Sequence, residues 1–247
     1  MIPDWFDPVA LVPGIPLIGA ILVAILRDAR AGAWVVILTT AAGFAVALRL
    51  PAQIGASLFL LVDPLSAHLA ILTAFIGLTT AIISRRFIAQ ELASDALDIG
   101  RVQSYHTLFL TFLGFMLLAL LSNNLGVAWV ALEAATISAV LVVGLPRTDA
   151  AIEASWKFFI LCGVGIALAL FGTVVMYLAA LPALGPGYGA MTWTELTFAA
   201  ITPRSRMIRS NATLSTEPAS TADTGVGPSA CASGIQECSG TSPALVP

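Results

Sequence analysis

The residues of this sequence that could do chemistry are ionisable side chains placed in long apolar stretches. Glu133 lies in WVALEAATI, near the middle of an uncharged run, and Lys157 begins the apolar run KFFILCG. His68 follows Asp63 by five residues in LVDPLSAHLAIL, at the start of another run. A carboxyl, an amine and an imidazole can each take up and release a proton. Because ionisable groups within apolar spans are costly, these side chains point to proton transfer.

Glu133 is the strongest candidate because its own run contains no cation. No Lys or Arg occurs between Arg101 and Arg147. On a helix, Thr136 lies one turn from Glu133 and places a hydroxyl group on the same face. We predict that Glu133 carries a proton and that Thr136 supports it. The structural alternative is a protonated Glu133 that hydrogen-bonds a neighbouring helix and holds a bundle together.

For the other candidates, the structural interpretation is stronger than the functional one. Lys157 follows Glu153 by four residues, which is the helical spacing of an ion pair, and a lysine near a helix end can extend to the interface. We estimate the difference in membrane depth between Glu133 and Lys157 from their positions in adjoining runs. At 1.5 Å per residue, it is roughly 15–18 Å. Asp63, followed by proline, is typical of a capped helix start. His68 can exchange protons near neutral pH, or simply be hydrogen-bonded at an interface.

The elements that must position these side chains are membrane spans. The chain has 247 residues, of which 58% are hydrophobic and 10% are charged, and the net charge is −3. Soluble domains carry about 25% charged residues, so the composition excludes a soluble enzyme and a disordered chain. The charge leaves no basic surface for nucleic acid. We predict an all-α, polytopic membrane helix bundle.

The spans themselves are uncharged apolar runs close to the about 20 residues that cross a bilayer. None of them alternates with a period of two, so strands are not expected. We predict about six transmembrane helices, which cover residues 9–26, 33–48, 65–83, 107–121, 125–145 and 158–181. Gly163, Gly165 and Gly172 place small residues on the sixth span, which favours close helix packing there.

The basic residues predict the orientation of the bundle. They concentrate in alternate joints between the spans: the even-numbered joints contain only Arg49, whereas the odd-numbered joints contain Arg27, Arg30, Arg85, Arg86, Arg101, Arg147 and Lys157. Lys and Arg accumulate on the cytoplasmic side of membrane proteins. We therefore expect the N-terminus outside. Residues 1–8 have two Asp and no basic residue, so they do not resemble a secretory signal.

The composition changes abruptly near residue 202. Residues 203–247 are rich in Ser, Thr, Gly and Pro and contain no aromatic residue. Arg204, Arg206 and Arg209 lie on the predicted outer side, against the charge pattern of the preceding chain. We expect residues 1–202 to form the transmembrane bundle and residues 203–247 to be disordered. Our hypothesis for this tail is translation in a shifted reading frame.

Three motifs in this order resemble one family of membrane proteins. LVDPLSAHLAIL, LSNNLGVAWVALEAATISAVLVV and WKFFILCG are similar to the third-, fifth- and sixth-helix patterns of the proton-translocating, antiporter-like subunits. Such subunits occur in respiratory complex I, in group 4 hydrogenases and in multisubunit sodium/proton antiporters, and the hydrogenase-4 component F type is the most similar. The resemblance covers residues 1–200.

The resemblance implies a fold of about fourteen helices with an outside N-terminus. It implies proton movement through buried carboxyl and lysine groups linked by water. Glu133 matches the family's fifth-helix glutamate, and Lys157 matches a sixth-helix lysine. The family's central lysines on the seventh and eighth helices have no counterpart in this sequence. The proton pathway expected here is therefore Glu133, Lys157 and His68, with Thr136 and Asp63 in support.

The function expected from these observations is proton translocation by a non-redox membrane subunit of an NADH-quinone oxidoreductase-type or hydrogenase-type complex. We expect a multi-pass protein of a bacterial-type inner membrane. Its partners would be other membrane and peripheral subunits and the lipid bilayer, and not nucleic acid. We expect no cofactor and no metal in this chain. Two alternatives stay open: a subunit of a multisubunit sodium/proton antiporter, and a truncated, non-functional membrane fragment.

Overall fold

The computed structural model of the protein describes residues 8–26, 29–56, 59–93 and 99–201. Six helices in it are long and apolar enough to cross a membrane, which confirms the predicted helix bundle with six spans. The prediction for residues 203–247 lies outside the described residues. The helices are α1 (Leu11–Ile25), α2 (Ala29–Ala47), α3 (Pro64–Ala93), α4 (Ile99–Leu121), α5 (Leu125–Val143), α6 (Asp149–Leu184) and the short α7 (Trp193–Ile201).

The starts of α5 and α6 follow from local capping. Asn124 accepts hydrogen bonds from the backbone N–H groups of Gly126 and Val127 and so caps α5. Thr148 accepts from the N–H of Ala151 and caps α6. These side chains satisfy backbone donors that have no partner within the helix. Since α6 begins at the cap rather than at the first uncharged residue, it starts nine residues before the predicted span at 158.

Two elements were not predicted from the sequence. A pair of two-residue antiparallel strands, β1 (Gly55–Ala56) and β2 (Leu61–Val62), joins α2 to α3, with Gly55 opposite Val62. The expectation of no strands is right for the spans and wrong for this connection, because a strand of two residues is too short to show a period. The other element is α7, whose nine residues are too few to cross a bilayer.

The core lies around α4, which packs against α1, α2, α3 and α5. One stripe of α4 is fully or almost fully buried: Leu110, Leu113, Leu117 and Leu121. Adjoining spans with short connections run antiparallel. The bundle therefore has one end that carries Arg85, Arg86 and Arg101, here called the basic end. At the opposite end, β1 and β2 and the turn between α4 and α5 come together.

Helix α6 lies at the edge of the described bundle. It packs against α5, and no residue of its most apolar window is buried. A helix that is apolar all round needs lipid or other helices as its surroundings.

Candidate functional site

Glu133 lies on the side of α5 that is directed toward α6. Ala131, Ala135 and Ser138 are buried and mark the opposite face of α5. Trp129, one helical turn before Glu133, donates its indole N–H to the backbone oxygen of Ile166 in α6, at 2.9 Å. Because residues four apart share a helix face, this hydrogen bond turns the Glu133 face toward α6. Glu133 itself is half-buried.

The Glu133 carboxyl group makes no hydrogen bond or ion pair within the part of the chain that the structure describes. It is also the only carboxyl group of the described spans that lies more than two turns from either end of its span. Thr136 donates its hydroxyl hydrogen to the backbone oxygen of Leu132 at 2.9 Å, so its oxygen can still accept.

Lys157 is exposed and forms an ion pair with Glu153, one turn earlier on α6. The depth of Lys157 relative to Glu133 follows from the hydrogen bond between Trp129 and Ile166. Since α5 and α6 are antiparallel, Glu133, four residues beyond Trp129, lies level with Cys162. Lys157 is five residues from Cys162, which is roughly 7–8 Å along the helix axis. The 15–18 Å expected from the sequence is thus too large, because α6 begins earlier than the uncharged run.

Asp63 and Ser66 form a reciprocal cap at the start of α3. The N–H of Ser66 donates to Asp63 Oδ1 at 3.0 Å, and the N–H of Asp63 donates to Ser66 Oγ at 3.0 Å. The hydrogen bond from Ser66 lowers the pKa of the Asp63 carboxyl below its ordinary value. Asp63 therefore acts as the cap of α3, which is the structural interpretation of this residue.

His68 lies on the second turn of α3, and its side chain is exposed. Its Nδ1 makes a short contact with the backbone oxygen of Pro64. His68 contacts Pro64, and Asp63 is hydrogen-bonded to Ser66, so these interactions stay within the start of α3. Among the described residues, the structure does not bring either side chain to Glu133.

A cavity of about 530 Å³ lies between α4, α5 and the end of α6. Val130 and Ala131 of α5 line it, so it reaches to within a turn of Glu133. Asn124, Tyr177 and Tyr188 contribute polar groups, although most of the lining is apolar. The cavity approaches Glu133 from the end of the bundle opposite the basic end.

Two buried polar residues were missed from the sequence. His106 is 3% exposed, and neither ring nitrogen has a hydrogen-bond partner. It was overlooked because the fourth uncharged run was placed at 107–121, one residue beyond it. Asn123, which is 2% exposed, is hydrogen-bonded to the start of α7. The SNN triplet was matched as a family motif, but nothing in the sequence linked it to a segment 70 residues later.

No protein-family model matches the chain. In sequence, the chain is 44% identical over 187 residues to the Hydrogenase-4 component F homolog of Methylacidiphilum infernorum (isolate V4). The matched region covers 73% of this chain and 38% of the relative, so the chain spans about two fifths of the length of that protein.

In structure, the chain is similar to a chain of the membrane-bound sulfane sulfur reductase (MBS), an archaeal respiratory membrane complex. The TM-score is 0.58 at 20% sequence identity, and the match covers 72% of this chain and 38% of that chain. This likeness confirms the fold of the helix bundle. Together with the six spans, the comparisons identify a multi-pass membrane protein whose matched part belongs to the antiporter-like membrane subunits of the hydrogenase-4 component F type.

Proposed function

We propose that this chain is a proton-translocating membrane subunit of a respiratory-type oxidoreductase or hydrogenase complex, and that Glu133 carries the proton. The observation that carries the proposal is an unpaired carboxyl group in the middle of a span, in a chain that belongs to this family. Such a group changes its charge only when a proton or a cation moves, which is the property that a relay requires.

The proposed relay couples Glu133 to Lys157. Lys157 is paired with Glu153, and among the described residues no cation pairs with Glu133. Ser155 faces α5, and Lys157, two residues later, lies on the other side of α6. The proposed link between Lys157 and Glu133 therefore runs through water around α6 as well as over the roughly 7–8 Å of depth. When Lys157 moves toward Glu133, the positive charge favours release of the Glu133 proton. His68 and Asp63 have no part in this step.

The proposed access to Glu133 is the cavity between α4, α5 and α6, which reaches the depth of Val130 and Ala131 from the end opposite the basic end. Because Ala131 lies on the opposite face of α5, water must pass from Val130 around the helix to the Glu133 carboxyl group. Thr136 offers an acceptor oxygen on the same face for the protonated carboxyl. We propose that further helices, such as those of the longer relative, complete the pathway beyond α5 and α6. Other membrane and peripheral subunits of the complex would supply the redox chemistry, and the proposed location is a bacterial-type inner membrane.

The test is Glu133→Gln in the assembled complex, measured in inverted membrane vesicles. Glutamine keeps the shape of the side chain but cannot carry a proton. We expect proton uptake to fall by about tenfold or more, which is the scale on which a lost proton-transfer group slows a reaction. Electron transfer should be less affected. Glu195→Gln, an exposed position on α7, is the matched control and should leave uptake unchanged.

The same vesicles separate the open alternatives. Unchanged proton uptake in Glu133→Gln would overturn the assignment of Glu133. Proton movement that requires sodium and no electron donor would instead place the chain in a sodium/proton antiporter. A chain that inserts in the membrane but neither binds partners nor responds to the substitution would be a non-functional fragment.

A further inference from the structure

His106 is a buried imidazole that the proposed relay does not use. It lies in the second turn of α4 and is 3% exposed, and both ring nitrogens lack a hydrogen-bond partner among the residues that the structure describes. A neutral imidazole always carries one N–H group, and an unsatisfied buried donor destabilises the folded state. A leucine or phenylalanine would fill the same space without this penalty. An ionisable side chain kept at such a position calls for a role beyond packing.

The last turn of α1 and the first turn of α2 are here called the α1–α2 corner. His106 of α4 lies next to this corner. A Cβ atom on Gly32 of α2 would lie 3.9 Å from His106 Cδ2 and 3.8 Å from Val23 Cγ1. One turn nearer the basic end, Gln103 donates to the backbone oxygens of Val23 and Ala24, at 3.3 and 2.8 Å. The imidazole and this amide thus hold α4 against the α1–α2 corner.

On this face of α4, the described polar side chains, Gln103 and His106, lie toward the basic end. Gln103 and His106 are followed by Leu110, Leu113 and Leu117, which are buried and apolar. A proton that arrives at His106 from the basic end therefore meets no further polar group along this face. Glu133 lies on the other side of the α4–α5 pair, toward α6. His106 is accordingly separate from the proposed relay, and the inference does not rest on it.

The charges around this site do not favour an imidazolium ion. Helix α1 has no titratable side chain. Among the side chains that the structure describes at this end, the other helices contribute Arg85 and Arg86 in α3 and Arg101 and Tyr105 in α4. In the sequence, Arg27 and Asp28 precede α2, Arg30 lies at its start, Glu91 lies near the end of α3, and Asp95 and Asp98 follow it. Arg85 lies over the Trp34 ring of α2, 4.2 Å from its centroid. On α1 to α4, the charged side chains that the structure describes at this end are all cationic, so a protonated His106 needs water around it.

We propose that His106 is a proton-binding site, loaded from the basic end, whose protonation releases the α1–α2 corner from α4. The neutral imidazole fits the closed, dry packing, whereas the charged form requires hydration, which the closed corner excludes. The direction of the pH dependence follows from this difference in hydration. Because the open form binds the proton more tightly, lower pH favours the open corner and higher pH favours the closed one.

The test uses the full chain in lipid nanodiscs. The sequence contains only two histidines, so ¹⁵N-imidazole labelling gives two side-chain signals, and His68→Gln assigns them. Amide hydrogen exchange at Val23–Ile25 and in the first turn of α2 reports the opening of the corner. Between about pH 7 and pH 3.5, the His106 signal should titrate, below the range of an exposed histidine because the closed corner must open before the ring is charged. Exchange, corrected for its intrinsic pH dependence, should then accelerate by up to about tenfold per pH unit, the limit for one proton.

His68→Gln is the control and should leave the pH response of the corner intact. His106→Gln should abolish that response, because an amide does not titrate. A His106 signal that stays neutral over the whole range would overturn the proposal, and this measurement on the unsubstituted chain does not depend on how the variant folds. Titration without faster exchange at the corner would overturn the coupling, as would a pH response that survives in His106→Gln.

Discussion

Asn123 joins three segments of the chain at the end of the bundle opposite the basic end. Its N–H donates to the backbone oxygen of Phe59 at 2.8 Å, and its backbone oxygen accepts from the N–H of Trp193 at 2.7 Å. Its side chain accepts from the N–H of Thr194 and donates to the Thr194 hydroxyl, both at 3.3 Å. One buried residue thus ties the connection after β1 and the start of α7 to the turn between α4 and α5.

We predict that Asn123→Ala destabilises the protein by about 1–3 kcal/mol, since it removes the buried Asn123 side chain and leaves the part-buried N–H of Thr194 without this acceptor. The backbone hydrogen bonds of residue 123 should survive, so the loss is local to the start of α7. The measurement is the unfolding transition in detergent. Gln53→Ala, at an exposed position, is the control and should change stability by no more than about 0.5 kcal/mol. Equal effects of the two substitutions would contradict the prediction.

Individual residues were predictable from the sequence where the signal is local. The cap at Asp63 was expected from an aspartate followed by proline, and the reciprocal bonds with Ser66 bear out that structural interpretation. The central position of Glu133 followed from the length of its uncharged run. The roles of His106 and Asn123 depend on contacts with helices distant in sequence, and local patterns carry no information on those contacts.

At the scale of helices, close packing occurs at glycines of the first four spans. A Cβ atom on Gly114 of α4 would lie 2.6 Å from Leu17 Cγ and 3.3 Å from the Leu17 backbone nitrogen in α1. A Cβ atom on Gly77 of α3 would lie 2.7 Å from Leu113 Cδ2. Within a bilayer, association depends on such close approach, because lipid is as apolar as the helices.

We predict that Gly114→Ala separates α1 from α4 and destabilises the bundle by about 1–3 kcal/mol through overpacking. Gly163→Ala on α6 is the matched control, since no described atom lies within 4 Å of its Cβ position. That substitution should be neutral, or stabilising by up to about 1 kcal/mol through helix propensity. Unfolding transitions of both variants in detergent measure the difference. A Gly114→Ala variant as stable as Gly163→Ala would refute the close approach of α1 and α4.

The number of spans was predictable because hydrocarbon thickness sets the length of each apolar run. The ends of the helices were not, since a helix continues beyond the membrane wherever caps and polar turns permit. Helix α3 continues to Ala93, and α6 begins at Asp149. The expectation of close packing at Gly163, Gly165 and Gly172 is wrong for the described residues, because helix α6 lies at their edge and has only α5 as a neighbour among the long helices.

At the scale of the whole molecule, the charge pattern and the bundle predict on which side of the membrane each connection lies. The connection after α2 is separated from the connection after α5 by three spans, so they must lie on opposite sides. The basic residues predict that the connection after α5 lies in the cytoplasm and the connection after α2 outside. Gln53 and Ala150 are exposed positions in or beside these two connections.

We therefore predict opposite labelling of Gln53→Cys and Ala150→Cys in a chain whose three native cysteines have been replaced. A membrane-impermeant maleimide added to intact bacterial cells should label Gln53→Cys directly, and should label Ala150→Cys only after the cells are permeabilised. The reverse pattern would keep the six spans and invert the orientation, which would also turn the basic end and His106 toward the outside. Labelling of both positions from one side would contradict the spans themselves, because an odd number of crossings separates them.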